Sequence, residues 1–319
     1  MSSLGTESLG GSSGRFSWTS WIPPRDPRTA NWPFIGNLPF VVVLVFGYCY
    51  IVKVAGPRWM ANRQPFNVKP VVQVYNVAMV LANLYFMVQF LRHSYLGGGY
   101  NIFCQGMTHS TDENSMRILE LCYWYFWVRV GDFFDTFFFL LHKKFSHITT
   151  LHYTHHALVV WSGWLWMTYG ADGQTLLGLI VNSNIHIVMY SYYFLAALGP
   201  HMQPYLWWKR YITTAQITQF VFLMIHILIP VFYDCGYPKG MIYLAFMQGV
   251  LGLTLFINFY IQSYIKKPKA LAAARHAGES SGSQHEVLQQ QQQLVGADKD
   301  AIAREEDQAA DRSRKAKWA

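Results

Sequence analysis

The chain has 319 residues, of which 52% are hydrophobic, 17% aromatic and only 13% charged. Soluble domains carry about 25% charged residues, so this composition excludes an ordinary soluble enzyme. The net charge of +8 does not point to nucleic acid either, because the basic residues before position 270 flank long apolar runs, the pattern of an integral membrane protein.

Residues 1–32 mix Gly, Ser, Pro and Arg and read as a lumenal, disordered N-terminal segment without a signal peptide. Apolar stretches follow at 33–54, 69–91, 117–141, 150–169, 174–195, 209–232 and 240–264. Most approach or exceed the roughly 20 residues that a helix needs to cross a bilayer core. The fourth is the weakest, because histidines crowd its start. The expected fold is all-α with seven transmembrane helices over residues 33–269, six being the alternative; runs of this length do not resemble barrel strands.

Lys and Arg set the orientation. Lys53, Arg58, Arg63 and Lys69 follow span one, Lys143 and Lys144 follow span three, Lys209 and Arg210 precede span six, and Lys266, Lys267 and Lys269 follow span seven. The alternate loops are poorer in Lys and Arg, so the N-terminus is lumenal and the C-terminus cytosolic. Residues 270–319 contain five consecutive glutamines and read as a disordered cytosolic tail. The tail ends Lys315-Ala316-Lys317-Trp318-Ala319, the Lys-x-Lys-x-x pattern of an endoplasmic-reticulum retrieval signal. Cys49 and Cys122 fall inside spans. Cys104 and Cys235 fall in two lumenal loops and are expected to pair, since that compartment is oxidising.

Chemistry is sought where polar groups lie in spans that lipid would forbid to them. Asp132 and Asp135 belong to Arg129-Val130-Gly131-Asp132-Phe133-Phe134-Asp135-Thr136. On a continuous helix Arg129, Asp132, Asp135 and Thr136 occupy an arc of about 120°. Helix bracing by an intramembrane ion pair is the alternative to a functional role. Span four opens with His152-Tyr153-Thr154-His155-His156, whose histidines at i, i+3 and i+4 point one way. Asn182, His186, Tyr190 and Tyr193 line one stripe of span five. Thr213, Gln216 and Gln219 do so in span six, where helix–helix bonding is an equal explanation. Counting about 1.5 Å per residue puts all four clusters at one level in the cytosolic half, as one buried polar chamber.

These residues carry a family resemblance. Asp135-Thr136, His152-x-x-His155-His156, His186-x-x-Met189-Tyr190-x-Tyr192-Tyr193 and Thr213-x-x-Gln216-x-x-Gln219, in that order, resemble the ELO family of very-long-chain fatty acid elongases, the membrane 3-ketoacyl-CoA synthases. The likeness runs from about Gly56 to Lys267. It implies six of the seven helices enclosing an acyl-chain tunnel open to the cytosol, and malonyl-CoA-dependent extension of an acyl-CoA by two carbons in the endoplasmic reticulum. Nothing in the sequence indicates a nicotinamide site, so no cofactor or metal is expected and reduction of the product is expected of separate partners, the reductases and dehydratase of the cycle; membrane lipid surrounds the chain, and self-association stays open. This chain has Arg129 and Asp132 where the family usually has Lys and Glu. It has His142 and His147 where the family usually has Arg and Gln, so the CoA-contact roles of those positions do not transfer directly.

The expected reaction assigns His152, His155, His156, His186, Asp132 and Asp135 to catalysis, with His155 as acyl acceptor, because histidine serves as base or nucleophile near neutral pH. Thr136, Asn182, Gln216 or a tyrosine would hold a developing oxyanion. Lys143, Lys144, Lys209 and Arg210 would meet CoA phosphates at the cytosolic mouth, with Arg129 deeper. The alternative is a membrane di-iron desaturase or hydroxylase, whose first two histidine boxes His142-x4-His147 and His152-x-x-His155-His156 mimic; the remaining histidines are isolated, unlike the second x-x-His-His box of those enzymes.

Overall fold

In a computed structural model, residues 23–266 and Lys269 are described. The expectations for residues 1–22, for the tail from 270 and for its retrieval pattern lie outside the described residues. The described part is helical, without strands: α1 Leu38–Tyr50, α2 Gly56–Met60, α3 Lys69–Leu91, α4 Glu113–Gly131, α5 Phe133–Leu141, α6 Thr150–Tyr169, α7 Leu176–Leu198, α8 Lys209–Phe232 and α9 Lys239–Tyr260. π-Helical turns join α1 to α2 at Ile51–Ala55 and extend α3 over Arg92–Leu96.

Four of these helices, with their extensions, are long and apolar enough to cross a membrane: Leu38–Met60, Lys69–Leu96, Lys209–Phe232 and Lys239–Lys266. The protein is a multi-pass, all-α membrane protein. Between them, α5 is only 9 residues long, while α4, α6 and α7 carry polar groups such as Arg129, the His152–His156 cluster, Asn182 and His186.

Local chemistry sets the helix ends. Asn37 caps α1 by accepting from Phe40 N–H, with Pro39 in the first turn. Asp112 caps α4 by accepting from Ser115 N–H at 3.0 Å. Thr149 caps α6 by accepting from His152 N–H at 3.2 Å, which places the histidine cluster in the first two turns. The stretch expected as one span over 117–141 is interrupted at Asp132. Asp132 N–H bonds Val128 C=O at 3.1 Å, and Asp135 N–H bonds Asp132 C=O at 3.2 Å. That last bond is an i,i+3 tightening, placed next to the flexible Gly131.

α3 runs antiparallel to α7: Lys69 Nζ reaches Leu198 C=O at 3.4 Å and Gln73 Nε2 reaches Ala197 C=O at 3.1 Å. α8 and α9 approach through Gly252, where a Cβ would stand 2.6 Å from Phe220 Cε1. The main core joins α1, α3, α4, α6 and the start of α7 around Val41, Phe90, Ile118, Leu119, Val160 and Leu176. The chain divides at Asn258; beyond it lie the end of α9 and a π-helical turn at Ile261–Lys266.

Residues 23–32 depart from the expected disorder. Asp26 and Thr29 are each 1% exposed. Asp26 N–H bonds Thr168 C=O at 3.0 Å and Thr29 Oγ1 bonds Met167 C=O at 2.7 Å. Arg28 pairs with Asp26 at 2.7 Å and Asp172 at 3.3 Å, and Asp172 also accepts from Thr108 Oγ1 at 2.6 Å. Composition missed this because the ordering comes from a long-range ion cluster. Cys104 and Cys235, 131 residues apart, form a disulfide on the same side, and Gln174 Nε2 donates to Phe103 C=O and His226 C=O across these loops.

Candidate active site

The site begins with Arg129 in the last turn of α4. A cation of this kind, 4% exposed, requires partners on every side. Its Nη1 lies 3.2 Å from Asp132 Oδ2 and faces the nitrogen edge of His186, 2.7 Å from Nδ1 and 3.2 Å from Nε2. Its Nη2 donates to Asn83 Oδ1 at 2.9 Å, and the guanidinium stands 4.7 Å from the Tyr125 ring centroid. Arginine only donates hydrogen bonds, so the His186 ring accepts here and is neutral.

The two carboxylates meet Tyr190 of α7. Its hydroxyl lies 2.6 Å from Asp135 Oδ2 and 3.0 Å from Asp132 Oδ1, with Tyr75 of α3 3.4 Å behind it. Tyr75 donates to the Gly131 carbonyl at 3.2 Å, so the loose turn at Asp132 is held from α3. Asp135, assigned above to catalysis, is bonded to Tyr190.

Thr136, one residue on, links α5 to the histidines. Its Oγ1 is 2.9 Å from His152 Nε2 and 2.8 Å from Tyr48 Oη of α1. The His152 and His156 ring centroids are 4.5 Å apart, and those of His155 and His156 5.7 Å apart. His155 is half-buried, its ring 5.8 Å from that of Phe256. None of the hydrogen bonds among the described residues involves the His155 ring.

The expected chamber is therefore assembled across α4, α5, α6 and α7. The α8 residues join it less directly: Thr213 and Gln219 are buried, while Gln216 Nε2 contacts Met189 Sδ of α7 at 3.7 Å. Asn182 accepts from Tyr125 Oη at 3.0 Å. Tyr193 packs on Tyr190 at 5.9 Å between centroids but is 38% exposed. Asn83, Tyr75, Tyr48 and Tyr125 were not anticipated. Asn76 and Asn83, one heptad apart in the apolar run of α3, were the available signal, since both amides are buried; tyrosines in so aromatic a sequence carry none.

The end of the fold where α5 gives way to α6 and α8 begins is basic. Lys144, Lys209 and Arg210 are exposed, whereas Lys143 Nζ bonds Ala61 C=O at 3.1 Å and Lys53 Nζ stands 4.9 Å over the Tyr153 ring. Burial, then the Lys144 charge, holds His142 below the usual imidazole range; His147 is held down in the same way, with Lys209 adding to the effect. Both add donors and ring faces at this end rather than charge. Among the described residues no three His, Cys, Asp or Glu side chains are grouped as a metal ion would need.

The family model for ELO, the GNS1/SUR4 family, matches residues 33–272. A very long chain fatty acid elongase 5 of Tachysurus fulvidraco is 41% identical over 268 residues, 83% of this chain and 90% of that protein. Elongase 5 of Mus musculus is 38% identical over 83% of this chain and 87% of its own length. A very long chain fatty acid elongase of Aedes aegypti is 39% identical over 79% of this chain and 70% of its own length.

Proposed function

The chain belongs to the ELO family, and we propose that its buried polar chamber is the active site of a 3-oxoacyl-CoA synthase, the condensing enzyme of fatty acid elongation. One observation carries the siting of this activity. Arg129, Asp132, Asp135, His186 and Tyr190 form one buried network of hydrogen bonds and an ion pair, and the next residue of α5, Thr136, bonds His152 of the histidine cluster. Helix-bracing contacts formed independently would have no reason to adjoin one another in this way.

The reaction joins an acyl-CoA to malonyl-CoA and, taking up one proton, releases CO2 and CoA to give a 3-oxoacyl-CoA two carbons longer. In our reading His155 attacks the acyl thioester, and CoA leaves as the thiol with the imidazole proton. Malonyl-CoA then loses CO2, and the resulting enolate displaces the acyl group from the ring, which regains a proton. Two contacts and one burial favour His155 as acceptor. His152 Nε2 is engaged by Thr136, His186 is engaged by Arg129, and His156 is buried; the half-buried His155 ring is uncommitted. Arg129 would face the thioester or malonyl group, with Asn182 and Gln216 as oxyanion donors. The Thr136 proton is already spent inside the site.

The mouth residues Lys144, Lys209 and Arg210 would receive CoA phosphates, and no bound cofactor is required. Seven spans with six around the tunnel, a lumenal N-terminus, a cytosolic C-terminus, residence in the endoplasmic reticulum and partner reductases and dehydratase complete the proposal. The desaturase or hydroxylase alternative is not favoured, because the matched family and relatives are elongases.

Purified enzyme given [14C]malonyl-CoA and a panel of acyl-CoAs should form labelled 3-oxoacyl-CoA and release CO2. Acyl-CoA alone should liberate near-stoichiometric CoA and leave an acyl group on the peptide holding His155. CoA release only in the presence of malonyl-CoA, with no adduct by intact mass, would replace the two-step mechanism by direct condensation.

A further inference from the structure

Tyr48 lies on α1, distant in sequence from every motif of the site. It is 2% exposed, and its ring stacks on Phe133 with centroids 3.8 Å apart and planes 8° from parallel. Among the described residues, Thr136 Oγ1 at 2.8 Å is the sole hydrogen-bond partner of its hydroxyl. Thr136 is fully buried, and its other partner is His152 Nε2 at 2.9 Å.

A hydroxyl has one proton to give, and buried polar groups are paired in native structures. Three arrangements of this chain are conceivable. In the first, Tyr48 O–H donates to Thr136, and Thr136 O–H donates to His152 Nε2. In the second, His152 Nε2–H donates to Thr136, Thr136 donates to the Tyr48 oxygen, and the Tyr48 proton has no acceptor. In the third, which keeps no relay, Tyr48 O–H and His152 Nε2–H both donate to Thr136, whose own proton is left without a side-chain acceptor. Only the first satisfies every member. It requires a lone pair on Nε2, so the His152 proton resides on Nδ1.

We propose that Tyr48 is a positioning residue: acting through Thr136, it holds His152 as the neutral Nδ1–H tautomer. The ring then offers a single donor, on the side not occupied by Thr136. It cannot act as an acyl acceptor through Nε2 without dissolving the chain of bonds. The helix outside the motif-bearing segments thereby controls which histidine atoms are available for chemistry. The stack on Phe133 supplies rigidity, since it restrains the phenol ring whatever its hydroxyl does.

The tautomer is read directly from 15N-histidine-labelled full-length protein in lipid vesicles, with the His152 signal identified by its loss in His152→Gln. The expected pattern is a protonated Nδ1 and an unprotonated Nε2, changing in Tyr48→Phe to a mixture of tautomers. An Nε2–H tautomer, or a ring protonated on both nitrogens, overturns the proposal. This arm is independent of the elongase reading. The kinetic arm rests on that reading. Tyr48→Phe keeps the stack and should lower kcat about tenfold, the effect of one buried hydrogen bond, with KM for acyl-CoA within about twofold. Thr136→Val should do the same, and the double variant should lose no more than either single change. Thr136→Ser, which keeps the hydroxyl, should recover most of kcat. Additive losses, or an equal loss in Thr136→Ser, would mean that both residues serve packing alone. If Tyr48→Phe fails to fold, the tautomer of the unaltered protein still decides.

Discussion

The Tyr190 hydroxyl stands 2.6 Å from Oδ2 of Asp135, and this phenol is the donor that a second buried carboxyl beside a single arginine requires. Removing it takes away the 2.6 Å donor of Asp135 in an apolar surrounding and leaves the Tyr75 phenol as its remaining tyrosine neighbour. Tyr190→Phe should therefore destabilise the protein by about 1–3 kcal/mol and reduce condensation more than tenfold. Thermal unfolding in detergent, followed beside kcat, measures both; unaltered stability would show that the carboxyl group finds another donor.

Arg129 and Asp132 form the ion pair of the site, at 3.2 Å. Arg129→Met strands Asp132 and should cost about 3–5 kcal/mol. Exchanging the two charges, Arg129→Asp with Asp132→Arg, should recover folding relative to either single reversal. Activity should stay low, because His186 and Asn83 also depend on the guanidinium. A fully active exchanged variant would assign the pair to helix bracing.

The disulfide between Cys104 and Cys235 closes a separation of 131 residues. Replacing both by Ser should lower stability by about 2–4 kcal/mol. The fold around the chamber should persist, as measured by residual kcat at low temperature. Non-reducing peptide mapping of fresh membranes should recover the two cysteines as one linked species; two free thiols would remove the bridge.

Acid should loosen the segment 23–37 first. Burial by itself would raise the Asp26 carboxyl, but the hydrogen bonds and charge of Arg28 outweigh it and hold Asp26 below its ordinary value of 3.8. A lowered folded-state value means that the Asp26 contribution is complete above 3.8 and is lost as pH falls through the folded value. The hydrogen-exchange protection factors of residues 23–37 should be flat from neutral pH to about 5 and fall steeply below about 4. Asp26→Asn should be looser at neutral pH and lose most of that acid dependence. A parent profile unchanged down to the strongest acid tolerated would show that the segment is held by packing alone.

The retrieval reading is tested separately. Replacing Lys315 and Lys317 should shift the protein away from the endoplasmic reticulum in cell imaging while leaving kcat in isolated membranes unaffected. Unchanged localisation would count against the signal.

Much of this molecule was written in residue type and order. Burying charge in lipid is so costly that Arg129, Asp132, Asp135 and the histidine cluster marked out a candidate site from their placement in apolar runs, which helix periodicity predicts at one depth. The ordered motifs led to the family without any distance. Periodicity also had limits: a continuous arc over Arg129–Thr136 assumed an unbroken helix, and the break at Asp132 depends on Tyr75 holding the Gly131 carbonyl from α3.

What the tertiary structure alone decided is which partner each polar group takes. Asp135 takes Tyr190, Thr136 bridges Tyr48 and His152, and Arg129 turns to Asn83 and His186. The order of residues 23–32 is of the same kind, resting on Arg28 meeting Asp172 from 144 positions away. Transfer of apolar groups out of water is non-directional and additive along the chain, so composition and pattern report it. Hydrogen bonds are directional and limited by the protons available, so their pairing is settled only where helices distant in sequence meet.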